Sequence, residues 1–504
     1  MTAPILSTPQ KTGFLWVAGA LFLIGFLMLG WIGVSGGIGS LDAQGIIQVM
    51  GEQARGKFDV SRPPGHPLSE YWVMPSLIRL AEMGASQPTI TPFAYGLYQL
   101  AGGLFCLALF WLLLAEFSLS PTRRLLAMAC LAFTPQFLIT SSEGEEFLWG
   151  MGLVFAALLF LSKLSKGEIR HPLLGWYLCV AFAAAASGYR VEYGGVALLA
   201  VFVTLLFSDQ SWPRRLGLAV FAALLLLTIW SPILMHRGVV APYTNPLSLA
   251  TRLGVGLYKI VFLAMGAMPF LIALAIVFQS RATFRIVPPF RKNILDYWAL
   301  WLALIFFALF FVYPTKILVV LPGVAFLILL GAVHAGRWTW ALFVVASMSL
   351  LIAQLDIFQN RRWTGPKFQP SLWAQAYAEK PASFRPVADA ATRMASTGKH
   401  VVIANIWPWC LAWQCQNNGW PGVPDPASVT SSLPQIYAVG PGFVATRSVI
   451  DNHQEQLARY VQNGCDVWID ETLYREMYMR YSLSAPTPET VVIEGVTCRV
   501  VKIQ

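Results

Sequence analysis

Charge is what this chain has least of. Only 12% of its 504 residues are Asp, Glu, Lys or Arg, against roughly a quarter in an ordinary soluble domain. A Gly-rich phosphate loop, HExxH, GxSxG and zinc-type cysteine spacing are all missing. Nucleotide-driven, metalloprotease and serine-hydrolase chemistry therefore have no residues to rest on. There is no internal repeat and no low-complexity stretch. Cysteines number seven. Cys106, Cys130 and Cys179 lie in apolar runs, as packing residues do. Cys410, Cys415, Cys465 and Cys498 fall in the last quarter, where an exported domain allows three pairings. The pairing expected is Cys410 with Cys415 and Cys465 with Cys498.

What fills the space is apolar sequence. Hydrophobic residues make up 56% of the chain, and the mean hydropathy is +0.59. Runs near 14–34, 93–116, 124–141, 147–162, 173–188, 193–208, 215–235, 256–279, 297–313, 316–333 and 339–357 approach the length a bilayer requires, about 20 residues. They predict a polytopic α-helical membrane protein with about eleven spans. The first run has no convincing small-residue cleavage site and reads as a retained helix.

The net charge of +10 is explained by placement, so no nucleic-acid partner is inferred. Arg123 and Arg124, then Lys163, Lys166 and Arg170, then Arg214 and Arg215, then Arg281, Arg285, Arg291 and Lys292, then Arg337 occupy alternate loops. The positive-inside bias puts those loops and the N-terminus in the cytoplasm. An odd number of spans then exports the tail. Residues 1–358 form the membrane domain, with a long first outer loop at 35–92. Residues 359–504 form a small exported α/β domain, its boundary marked by the Gly365-Pro366 turn. Segments 401–405, 466–470 and 491–503 read as strands, the last folding as a hairpin at Glu494-Gly495. Segments 385–397 and 452–463 read as helices.

Conspicuous charges gather on the outer side, where polar groups near the bilayer mark a site or pathway. The first loop opens with Asp42 and continues as an amphipathic segment carrying Ile46, Ile47 and Met50. Asp42 reads as a general base within reach of an acceptor hydroxyl, or as a helix cap. Arg62-Pro63-Pro64-Gly65-His66-Pro67 is a rigid turn. Its His66 contacts a phosphate or sugar, or simply holds the turn. Glu143, Glu145 and Glu146 form an acidic group suited to sugar hydroxyls or a cation, or a solvated turn; Glu143 and Glu145 are taken as the substrate contacts. Arg190 and Glu192 sit between two apolar halves and should neutralise each other. Lys316 opens an apolar run after Tyr313-Pro314-Thr315 and suits a lipid phosphate, or snorkels to the interface.

Taken together, these stretches resemble GT-C type glycosyltransferases, the polytopic class that takes sugar from a polyprenyl-phosphate carrier. The resemblance spans roughly residues 14–335. Pro63 to Leu68, PPGHPL, is similar to the HPPGYPLY-like stretch of bacterial relatives of protein O-mannosyltransferases. Ser141 to Phe147, SSEGEEF, is similar to their glutamate-bearing second outer loop, and YPTKILVVLPG at 313–323 to their basic-residue and proline motif. There are departures: Ala43 and Gln44 follow Asp42 where many members have an Asp-Glu pair, His66 follows the glycine, and Arg62 precedes the prolines.

The resemblance implies an inverting transfer, with Asp42 as general base and Lys316, seconded by Arg190, on the carrier phosphate. Arg62, His66, Glu143, Glu145 and Glu192 are expected to line the substrate. The partners implied are a polyprenyl-phosphate-linked sugar as donor and a glycan, lipid or protein acceptor. No cofactor is required; a divalent metal is not favoured, because Asp42 lacks a companion carboxylate. The implied location is a bacterial inner membrane, with the tail in the periplasm. Rival readings are a secondary transporter or lipid flippase, a polymerase or ligase of lipid-linked glycans, and a non-catalytic scaffold. The transporter reading has no repeat to support it.

Overall fold

The computed structural model describes chiefly residues 8–35, 66–81, 92–143, 146–237, 248–279, 294–312, 317–359 and 362–374. It also describes scattered positions between 46 and 56, Pro314, and short stretches between 397 and 503. Two compact units result, Met1–Ala378 and Glu379–Gln504.

The first unit is a helical bundle. In chain order it contains α1 (Thr8–Ser35), a π-helical turn (Leu68–Val73) leading into α2 (Met74–Ala81), α3 (Pro92–Ala115), α4 (Pro121–Ala132), α5 (Pro135–Glu143) and α6 (Phe147–Lys166). Then come α7 (Pro172–Tyr189), α8 (Val191–Leu206), α9 (Trp212–Arg237), and α10 (Leu249–Tyr258) running into a second π-helical turn (Lys259–Ala264). The bundle ends with α11 (Ala267–Gln279), α12 (Ile294–Val312), a 3-10 turn (Ile317–Val320) opening α13 (Leu321–His334), and α14 (Arg337–Ser349).

Local chemistry sets several boundaries. Ser120 caps α4 by accepting the Arg123 N–H (3.3 Å), with Pro121 at the first helical position. Two residues after α4, Thr134 accepts the Phe137 N–H (3.3 Å), and Pro135 starts a new helix there. The chain therefore bends by 66° between α4 and α5. A sharper bend, 102°, separates the α10 segment from α11, and Gly266 supplies the positive φ (+75°) that the corner requires. Gly167 closes α6 in the left-handed region, where its N–H and that of Glu168 reach back to Leu164 and Lys163.

Among the described residues, seven helices are long and apolar enough to cross a bilayer, or nine with each bent pair taken as one span. Every expected run carries a helix, but two are short: α8 has 16 residues and α14 has 13. The run 339–357 does not continue as a helix. It stops at Ser349 and becomes a strand at Ala353. Side chains wedge the helices together: Phe155 of α6 meets Phe326 of α13 edge-on at 5.7 Å, and Phe110 of α3 at 5.4 Å. In lipid this close packing, and not the exclusion of water, drives helix association.

An antiparallel hairpin, β1 (Ala353–Gln359) with β2 (Arg362–Pro370), follows α14 and groups with the helices. The second unit is a small α/β domain on a six-stranded mixed sheet. Its strands are β3 (Val401–Ala404), β4 (Ile436–Gly440), β5 (Phe443–Thr446), β6 (Asp466–Asp470), β7 (Thr490–Ile493) and β8 (Val496–Ile503), ordered β4-β5-β3-β6-β8-β7. β3 is parallel to both β5 and β6, and the other pairings are antiparallel. The three strand segments expected here form β3, β6 and the β7–β8 hairpin. The expected helices at 385–397 and 452–463 fall largely outside the described residues.

The expected Cys465–Cys498 disulfide is corrected. Cys465 is a free thiol. Val467 pairs with Ile503 at one end of the β6–β8 ladder, whereas Cys498 lies beyond its other end and pairs with Val491 of β7. At about 3.4 Å per residue the two cysteines stand on the order of 20 Å apart, far beyond the Cα separation of about 6 Å that a disulfide allows. Cys410 and Cys415 lie outside the described residues.

Candidate active site

The fold brings one end of α3, α5, α6, α7 and α8 together, and a group of buried polar side chains, among them His66, Ser69, Gln99 and Glu146, lies there. At the centre is Glu146, the residue immediately before α6. It is fully buried, with φ +61° and ψ 9°, and is the one non-glycine with positive φ among the described residues. That conformation costs a side-chain-bearing residue about 1 kcal/mol or more. A strained position of this kind persists only where its surroundings hold it.

Those surroundings come from segments distant in sequence. Ser69, in the first π-helical turn, donates its hydroxyl to Glu146 Oε2 at 2.5 Å. The Tyr95 hydroxyl of α3 lies 3.5 Å from Oε1, and His66 Nδ1 lies 3.9 Å from Oε2. His66 Nδ1 is also 2.7 Å from the backbone carbonyl of Tyr189 at the end of α7. A carbonyl only accepts, so Nδ1 carries the proton there and the tautomer is set. His66 is buried, clamped between Glu146 ahead of α6 and the end of α7. A π-helical turn beside it is a rare local geometry that recurs at functional sites.

Aromatic rings extend the cluster sideways. Tyr98 stacks on Trp149 (5.0 Å, 25°), Trp149 lies parallel to Tyr189 (6.3 Å, 16°), and the Tyr98 and Tyr189 hydroxyls are 3.2 Å apart. One helical step from Tyr95, the fully buried Gln99 has no partner for either amide atom among the described residues. It keeps a donor and an acceptor free at this end of the bundle.

Arg190 is the whole joint between α7 and α8, in extended conformation at φ −148°, ψ 116°. Its Nη2 and Nε reach Glu192 Oε1 at 2.8 and 2.9 Å, so the expected self-neutralising pair forms. The guanidinium also covers the Phe147 ring at 3.9 Å, the cation–π geometry that suits a planar cation. Tyr193 of α8 donates to the Leu318 carbonyl at 2.9 Å, and Lys259 Nζ donates to the Pro314 carbonyl at 2.8 Å. The two ties hold Leu318 against α8 and Pro314 against the second π-helical turn.

The structure thus brings together His66, Arg190 and Glu192. Asp42, Arg62, Glu145 and Lys316 lie outside the described residues, and of Glu143 only the backbone, at the end of α5, is described. Among the described residues, no three His, Cys, Asp or Glu side chains form a metal-ligating group. Sequence reasoning missed Ser69, Tyr95, Tyr98, Gln99 and Tyr189, and gave Glu146 no role apart from its acidic neighbours. The one signal for Glu146 was its place immediately before a long apolar run.

A multi-spanning helical bundle followed by a small α/β domain is the architecture expected from the sequence. No family model and no curated protein matches the chain in sequence. Among solved structures, the fold is similar to that of ArnT from Cupriavidus metallidurans in the apo state, with TM-score 0.51, 14% identity and 98% of each chain covered. It is similar also to ArnT from the same organism bound to undecaprenyl phosphate, with TM-score 0.50, 14% identity and 97% of each chain covered. At that identity the likeness is one of fold.

Proposed function

We propose that the chain is a membrane glycosyltransferase that moves a sugar from a polyprenyl-phosphate carrier to an acceptor hydroxyl on the extracytoplasmic face. The observation that supports it most is a fold likeness running the length of the chain to a protein solved with undecaprenyl phosphate bound. The cluster of buried polar groups around Glu146 agrees with it. So does the alternation of basic loops, which assigns that end to the periplasm of a bacterial inner membrane.

In this reading the Asp42 carboxylate takes the proton of the acceptor hydroxyl as its oxygen attacks the anomeric carbon. The bond from that carbon to the phosphate oxygen breaks with inversion, and polyprenyl phosphate leaves with the electron pair. Lys316 stabilises the departing charge, with Arg190 as a second cation. Because Arg190 is already paired with Glu192, its contribution is that of a fixed dipole and not of a free charge. His66 and the end of the first loop are held by Glu146 and the Tyr189 carbonyl, a rigid base for the segment that carries Arg62. Glu143, Glu145 and the free amide of Gln99 are candidates for sugar hydroxyls. The acceptor is a glycan, a lipid or a protein, and the reaction as written calls for no metal.

The test is transfer from a panel of radiolabelled polyprenyl-phosphate sugars by purified wild type and Asp42→Asn. Wild type consumes one donor and the variant loses turnover with an unchanged melting profile. If no donor is consumed, or if Asp42→Asn turns over as fast as wild type, the proposal fails.

A further inference from the structure

The β1–β2 hairpin is built inside out. In β1, Gln354 and Asp356 are buried, at 2% and 6% exposure, while the intervening Leu355 is only partly covered. Asp356 accepts the Tyr258 hydroxyl of α10 at 2.8 Å, so the polar face is the one packed on the helices. Register puts Leu355 opposite Phe368 and Ala353 opposite Pro370, so these four share the outward face. Phe368 is 81% exposed, and so is Ile352 just before the strand. A hairpin in water would point these residues the other way.

Chain length says what covers that face. α14 begins at Arg337, whose guanidinium lies over Trp338, an Arg–Trp pair typical of a membrane–water boundary. Thirteen residues at 1.5 Å each carry it about 20 Å, roughly 10 Å short of the far side of the hydrocarbon layer. Leu350, Leu351, Ile352 and the base of the hairpin must make up the difference. The exposed stripe on α14, Trp338, Leu342 and Val345, continues at the same spacing through Ser349 to Ile352. The outward face of the hairpin therefore extends the lipid-facing surface of the bundle. An open two-stranded edge is not tolerated in the hydrocarbon itself, which fixes the depth at the headgroup–acyl boundary.

We infer that the β1–β2 hairpin is a membrane-interface anchor, its outward face (Ala353, Leu355, Phe368 and Pro370, with the exposed Ile352 at its base) seated against the acyl chains of the leaflet opposite Arg337. The exposed Lys367, on the other face, stands at headgroup level, where lysine reaches anionic phosphates.

The test uses the full chain with Cys410, Cys415, Cys465 and Cys498 replaced by Ser and one reporter cysteine added, reconstituted in phosphatidylethanolamine/phosphatidylglycerol vesicles. Phe368→Cys and Pro370→Cys carry an environment-sensitive fluorophore, and Lys367→Cys is the comparison. The expected result at 368 and 370 is a blue-shifted emission, quenched by a nitroxide placed shallow on the acyl chain and spared by aqueous iodide. At 367 iodide quenches. Equal iodide quenching at all three positions overturns the anchor. So does protection of 368 and 370 from both quenchers, which means that protein covers the face, as in a contact between two copies. No catalytic readout is involved, so failure here leaves the glycosyltransferase proposal standing.

Discussion

Glu146 makes two separable contributions, and substitutions can tell them apart. Its carboxylate satisfies the Ser69 hydroxyl at 2.5 Å, and its backbone sits at φ +61°. In Glu146→Ala the charge-assisted hydrogen bond is lost, at a cost of about 1.5–3 kcal/mol, and the backbone strain stays. Glu146→Gly loses the same bond but relieves strain worth about 1 kcal/mol, so it should be the milder change. Glu146→Gln keeps the shape and still accepts from Ser69 through its amide oxygen, so its loss should be about 1 kcal/mol or less. The expected order of stability is wild type, Gln, Gly, Ala. It is read as melting temperature of the purified protein in detergent, with the Ser69→Ala background as a check: there the gap between Glu and Gln should close. If Glu146→Ala melts with the wild type, Glu146 does not hold the first π-helical turn. If Ala outlasts Gly, the strain assignment is wrong.

Three further outcomes follow from the packing and charges. A Cβ on Gly194 would overlap the backbone of Ser187 across the α7–α8 joint, while Gly195 next to it has nothing within 4 Å; Gly194→Ala should therefore cost at least roughly 3 kcal/mol and Gly195→Ala should gain up to about 1 kcal/mol, as melting temperatures will show. Arg190→Ala and Glu192→Ala, singly and together, should show a coupling of roughly 1 kcal/mol or more in a double-mutant cycle, and additive losses would mean that the pair is only a surface contact. Burial, and then the Asp466 carboxylate, hold the Cys465 thiol above its ordinary value. The thiolate is the reactive form, so iodoacetamide labelling should be slow at neutral pH and climb as pH rises past the ordinary thiol range, and Asp466→Asn should speed it; fast labelling at neutral pH would contradict this.

Helices were legible in the sequence because a bilayer demands long apolar runs, and the runs are there. The hairpin was not, because Leu350 to Ile357 is apolar enough on average to prolong α14. The alternation of Ala353, Gln354, Leu355, Asp356 and Ile357 is a period of two that averaging hides. β4 and β5 were missed because IYAVG and FVAT are short and flank the dipeptide Pro441-Gly442, where a loop is the default reading. In the site, Arg190 and Glu192 stood out as charges in apolar surroundings two residues apart. Ser69, Tyr95 and Tyr189 did not, since single serines and tyrosines are ordinary in helices. Ser69 meets Glu146 across 77 residues and His66 meets Tyr189 across 123, and only tertiary packing decides which distant segments converge.

The two ends of the bundle solve the same physical problem differently, and the difference argues for where the chemistry lies. Helix ends leave carbonyls without intrahelical partners, and near lipid each must be satisfied. At the end bearing Arg123, long cations do it: Arg123 reaches the Gly331 and Ala335 carbonyls, Lys166 that of Glu116, Arg215 that of Ser208 and Arg124 that of Leu119. Of these side chains Lys166 is exposed, while Arg123, Arg124 and Arg215 are half-buried. At the Glu146 end the donors are a buried histidine, tyrosine hydroxyls and one lysine, placed singly around a strained, buried carboxylate. Each buried polar group there carries a desolvation cost, and among the described residues no carboxylate at the Arg123 end combines full burial with a strained backbone. The Glu146 end holds polar groups in fixed positions around that strained carboxylate, as a site that must meet charge without reorganising requires.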